Sequence, residues 1–137
     1  MGTQELQAFE CGVKDTDWTR TVHAMTRNKA RYLYWRDVRE PWPDVPFTAI
    51  TCRKLGRPQT DAGFLKTAAY RNVPLARIGM RVEVGGDSGL IVGKNSSANF
   101  DVLFTDGKHK GHILNCHPNW MMKYFAEDGN VLYEFRG

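Results

Sequence analysis

From Gly79 onward, apolar residues recur at every second position. GMRVEV sets Met80, Val82 and Val84 on one face, and NFDVLF does the same with Phe100, Val102 and Phe104. Successive side chains of a strand point to opposite faces, so this period predicts half-buried β-strands. LIVGK, HILN, MMKYF and VLYEF supply further short runs. The stretches between them are turn-forming: GGDSG, the polar NSSAN, TDGKHK with its Asp106-Gly107, the corner HPNW, and AEDGN with a second Asp-Gly. Asp-Gly favours tight hairpins because glycine accepts a positive φ. Short antiparallel strands at this spacing predict a small barrel over residues 78–137.

Upstream the pattern is helical. WTRTVHAMTRNKARYLYWRDVRE contains no Gly or Pro. A helix is predicted from near Trp18, capped by Thr16 or Asp17, and stopped by Pro41. Val22, Ala30, Leu33, Tyr34 and Val38 share one side of it. Lys29, Tyr32, Trp35, Arg36 and Arg39 share much of the other. Arg27 falls among the apolar group, which admits a break at Thr26–Asn28. PWPDVP reads as a rigid, extended connector. FTAITCRK, rich in β-branched residues, reads as a short strand or a single helical turn. Thr60 or Asp61 then caps a second helix through AGFLKTAAYRN, with Phe64, Leu65, Ala68 and Ala69 inward.

Composition sets the class. With 137 residues, 42% hydrophobic and 25% charged, the chain has the balance of a globular protein. No apolar run is long enough for a membrane-spanning helix. Glu5 and Glu10 stand where a signal peptide would have an apolar core, and Leu6 replaces the hydroxyl residue of an acylated Met-Gly start. A cytoplasmic protein with no membrane partner is expected. Cys11, Cys52 and Cys116 are odd in number and widely spaced, so reduced thiols are expected rather than a disulfide framework.

Charge is uneven. Arg20–Arg77 holds twelve Lys or Arg against four Asp or Glu, a net +8, whereas Ile78 to the end is −1. Such asymmetry points to a polyanionic partner. Lys29, Tyr32, Trp35, Arg36 and Arg39 interleave cations with aromatics on one helical side, and Arg53, Lys54 and Arg57 add positive charge nearby in sequence. Cations neutralise phosphates and aromatics stack bases, so these eight residues are the candidate nucleic-acid-binding set, for DNA or RNA. Solvated charge with aromatics packed on a core would look the same. Arg and Trp also suit a protein interface, so docking on a host enzyme is the alternative.

The most chemical stretch is HKGHILNCHPNW, His109–Trp120. On a strand, His109 and His112 point apart, and His112 and Cys116 lie roughly 13 Å apart. Zinc ligands sit about 2.0–2.3 Å from the metal, so no metal site is expected. Cys116 beside His117 is the third reading, a nucleophile with its base, but adjacency in sequence is not the spatial arrangement catalysis needs. The stretch is expected to turn a corner, with Cys116 buried and Trp120 covering the barrel end. No P-loop, G-x-S-x-G or HExxH occurs, so no cofactor and no enzymatic activity is expected.

Two resemblances add to this. GMRVEVGGDSGLIVG, with a short helical turn at PNWM before a closing strand, resembles the opening of KOW and other SH3-like barrels. Asp87-Ser88 stands in the turn where KOW commonly has a basic residue. The fold expected is α+β: a basic helical region at 1–77, then an antiparallel SH3-like small β-barrel at 78–137. FTAITCRKLG, YRNVPLARIGMRV, SANFDVLF and NCHPNW are similar to segments of a group of small phage and prophage proteins. That resemblance implies a phage-linked cytoplasmic protein and carries no activity with it.

Overall fold

The computed structural model describes residues 5–137. The Met1-Gly2 start, on which the acylation reading rests, lies outside them. Among the described residues are nine strands and two α-helices. The chain divides into two compact units between Gln59 and Thr60.

The first unit is a three-stranded antiparallel sheet carrying one helix. β1 (Gln7–Val13) lies between β2 (Thr19–Ala24) and β3 (Ile50–Gly56). The helix α1 (Arg27–Val38) runs between β2 and β3 in sequence and packs on all three strands. The long helix expected from Trp18 is therefore corrected: its first third is a strand. TRTVHA is rich in β-branched residues and pairs with β1 from Gln7–Ala24 to Gly12–Thr19. Thr16 caps no helix. Its hydroxyl donates to Val13 O at 2.7 Å and accepts from Trp18 N at 3.1 Å, closing the β1–β2 turn. The helix begins instead at Thr26, whose side chain accepts from Lys29 N at 3.1 Å. PWPDVP is not an extended connector either. It turns, with Val45 N bonded to Trp42 O at 3.2 Å. FTAITCRK contains both forms weighed for it, a 3-10 turn at Phe47–Ala49 and then β3.

In the second unit, α2 (Ala62–Tyr70) is capped by Asp61, which accepts from Phe64 N at 2.8 Å. Phe64 and Ala68 are buried, whereas Leu65 and Ala69 face outward. Six strands follow: β4 (Arg81–Val84), β5 (Asp87–Lys94), β6 (Phe100–Phe104), β7 (Ile113–Cys116), β8 (Met122–Phe125) and β9 (Val131–Glu134). They form one antiparallel sheet in the order β7-β6-β5-β4-β8-β9. Phe100 of β6 and Tyr124 of β8 are separated by two strands, roughly 14 Å in a flat sheet. Their ring centroids are 6.4 Å apart, so the sheet curls over its own core. Phe64 of α2 stacks on Phe100 at 4.8 Å, and the Tyr124 hydroxyl donates to Pro118 O.

The expected architecture, N-terminal helices followed by an SH3-like barrel, does not hold. Among the described residues strand outweighs helix about two to one, the first two elements are strands, and the larger sheet is not a closed barrel. Among the described residues, β7 and β9 end the sheet without pairing to each other. Period-two alternation marks a two-faced antiparallel sheet whether it is open or closed. Closure depends on strand number, tilt and stagger, which that pattern does not encode.

Candidate functional site

α1 sets the geometry. It turns Ala30, Leu33, Tyr34 and Val38 onto the sheet and leaves Lys29, Tyr32, Arg36 and Arg39 exposed. Residues three or four apart are neighbours on a helix surface, so the polar side becomes a row. Lys29 Nζ lies 5.5 Å from the Tyr32 ring centroid, the Tyr32 and Trp35 rings are 6.2 Å apart, and the Arg39 guanidinium sits 4.6 Å over Trp35. Trp35 is anchored from below. Its Nε1 donates to Val45 O at 3.0 Å, and its ring meets Phe47 edge-on at 5.6 Å. Tyr32 is 45% exposed and offers the most accessible ring of the row. Arg36 is exposed on the same side, with Asp37 Oδ1 at 3.7 Å from its Nε.

Arg53, Lys54 and Arg57 lie on or just beyond β3 rather than on the helix, and Arg53 faces away from it. Cys52 opposes Cys11, and its thiol touches Arg27 O of α1, so Cys52 faces the helix. Side chains alternate along a strand, which puts Arg53 on the opposite face, where it pairs with Glu10 at 3.1 Å. Lys54 is exposed beside Phe9 in register, and Arg57 is exposed beyond the end of β3. Five of the eight candidate residues thus share the exposed side of α1 and its C-terminal end, and Arg53 is turned away from them.

One neighbour was missed from sequence. Arg31 lies 4.4 Å over the Phe47 ring and donates to Ile50 O at 3.3 Å, bracing the chain beneath Trp35. Nothing in the wheel pattern marks it. A second feature, also unforeseen, is an open groove of about 270 Å³ lined by Trp18, Thr19, Arg20, Tyr34, Asp37, Val38 and Pro41. Trp42 packs edge-on against Trp18 at 5.8 Å, and both indoles are exposed. Arg20 and Asp37 form a 2.6 Å ion pair in the groove wall. Burial, reinforced by the nearby Cys11 and opposed by Arg20, raises the Tyr34 phenol above its usual range.

The histidine-rich stretch is scattered by the fold. His109 is half-buried with its ring 5.9 Å from Phe104, and His112 is exposed. Cys116 points into the core, where burial and the charge of Asp101 push its thiol up to about 11; it donates to Leu114 O. His117 is exposed, with Nε2 3.3 Å from Arg71 Nη1. Thiol and imidazole therefore serve different neighbours. Arg71 also bonds Ala98 O at 2.8 Å and Asn99 Oδ1 at 3.0 Å, tying the end of α2 to the 95–99 loop. Among the described residues, no group of three or more His, Cys, Asp or Glu could hold a metal ion. No helix among them is long and apolar enough to cross a membrane. No family model, curated protein or solved structure matches the chain.

Proposed function

We propose that the exposed side of α1 binds nucleic acid, with Lys29, Arg36 and Arg39 meeting phosphates and Tyr32 stacking a base. The observation that carries this reading is the row Lys29–Tyr32–Trp35–Arg39, in which two neighbouring rings are flanked by cations on one rigid helix. Rings on a rigid element present a preformed stacking platform, and the flanking cations track a backbone. A platform of this kind favours single strands, whose bases are free to stack, over duplex. A phage-linked role in the host cytoplasm belongs to the same reading.

The test is titration of a labelled single-stranded oligonucleotide at low salt with the wild type and Tyr32→Ala. Loss of one stacking ring should weaken binding by about 1–3 kcal/mol. Thermal stability should change little, because the ring is exposed and its contacts run along the row, to Lys29 and Trp35. Trp35→Ala is a poorer test, since it also removes the bond to Val45 O. Unchanged affinity in folded Tyr32→Ala removes Tyr32 as the stacking residue.

A second reading, docking on a host protein, is favoured by the Trp18–Trp42 pair beside its groove. Exposed indoles flanking a concave surface are frequent anchors in protein interfaces. Loss of partner binding on Trp42→Ala, with oligonucleotide binding intact, would select it.

A further inference from the structure

Cys11 and Cys52 oppose each other directly across β1 and β3, and their sulfurs are 3.6 Å apart. Directly opposed residues of an antiparallel pair have Cα atoms about 4.5 or 5.5 Å apart. Both values lie inside the range of roughly 4.4–6.8 Å that a disulfide spans. Both thiols are free, so a small approach of two side chains separates the dithiol from the bonded form. The two are not equivalent. Cys11 is fully buried at the centre of the sheet, whereas Cys52 is partly open to solvent.

We propose that Cys11 and Cys52 are a redox-active dithiol whose substrate is a low-molecular-weight disulfide, with Cys52 attacking first and Cys11 resolving. The half-exposed Cys52 loses its proton to solvent and attacks one sulfur of R–S–S–R. The reagent's S–S bond breaks, one thiolate leaves and takes up a proton, and a mixed disulfide stands on Cys52. Cys11 then loses its proton and attacks Cys52 Sγ, expelling the second thiolate, which is protonated in turn. The protein is oxidised by two electrons, and the reagent is reduced to two thiols. The order follows from access, and it agrees with the state of Cys11. Burial first, then its contact with Cys52, push the Cys11 thiol up to about 12 against the opposing charges of Arg20 and Arg27. A thiol so held is a poor first nucleophile, but it attacks readily once a sulfur electrophile is fixed beside it.

This inference is independent of the nucleic-acid reading. The experiment treats reduced, folded chain with oxidised glutathione, then counts thiols and maps peptides by mass. The wild type should lose two of its three thiols, retain no glutathione, and yield a Cys11–Cys52 cross-link that dithiothreitol reverses. Cys11→Ser and Cys11→Ala should both keep glutathione on Cys52, because nothing resolves it. Cys52→Ser should react far more slowly than either. Thermal melts confirm that each variant is folded, and the two Cys11 variants guard against failure of one. Persistent glutathione on wild-type Cys52 would overturn the proposal, as would a cross-link through Cys116. Three intact thiols in the wild type and an unmodified Cys11→Ala chain would overturn it equally.

Discussion

Single residues show most clearly what pattern reading reaches. Phe100, Val102 and Phe104 are buried as the alternation requires, and so are Ala30, Leu33, Tyr34 and Val38 of the helical stripe. The candidate cations were harder. Lys29, Tyr32, Trp35, Arg36 and Arg39 share a side because they share a helix, and that was legible. Arg53 adds positive charge to the same basic segment in sequence, but strand alternation sends it to the other face, onto Glu10. Arg31 was missed because its role depends on Phe47, which a turn brings beneath the helix. Cys116 supplies a prediction at this scale. Its thiol is raised from 9.0 to about 11 in the folded chain, chiefly by burial. The folded state therefore keeps the proton that the unfolded state has lost. The stability this represents is whole below pH 9.0 and is lost as pH rises through about 11. A shift of this size is worth at most about 3 kcal/mol. Denaturant unfolding across that range should show a steeper alkaline loss in the wild type than in Cys116→Ala. Parallel curves would assign the alkaline loss to other groups.

At the scale of elements, the strands of the second unit were readable because each has its own turn signals. β2 was not. No glycine or proline separates Thr19–Ala24 from α1, and the uninterrupted run imitates one long helix. What decides is pairing with β1, a contact between segments rather than a property of either. Gly12 records how tight that pairing is. A Cβ placed there would lie 2.7 Å from Trp18 O, a backbone atom that cannot swing aside. Gly12→Ala should therefore open the β1–β2 hairpin locally and cost about 1–3 kcal/mol, as overpacking does. Hydrogen exchange should find Val13 N, which bonds Trp18 O at 3.2 Å, less protected in the variant. Unchanged protection and an unchanged melt would show that the strands separate without penalty. Sheet closure was the other illegible feature, since alternation reports faces and not whether the last strand meets the first.

For the whole molecule, the boundary between Gln59 and Thr60 changes the meaning of the charge. The segment of net +8 straddles it. Residues 1–59 hold ten Lys or Arg and seven Asp or Glu, and residues 60–137 hold nine and eight, giving +3 and +1. Neither unit is strongly basic, so any polyanion binding rests on local arrangement, and α1 with its cation–aromatic row provides it. Net charge alone would have the chain attract polyanions diffusely. A row of aligned side chains gives contacts that can be counted. The most direct measurement is therefore the salt dependence of binding to a single-stranded oligonucleotide, for the wild type and for the double variant Arg36→Ala, Arg39→Ala. Each phosphate contact contributes about 0.7 to the slope of log affinity against log salt for a single strand. Losing two contacts should flatten the slope by roughly 1.4 and weaken binding at low salt. The melt should stay nearly unchanged, because exposed substitutions usually alter stability by no more than about 0.5 kcal/mol. Equal slopes and affinities in two folded proteins, or no binding by the wild type at low salt, would contradict a nucleic-acid interface on α1.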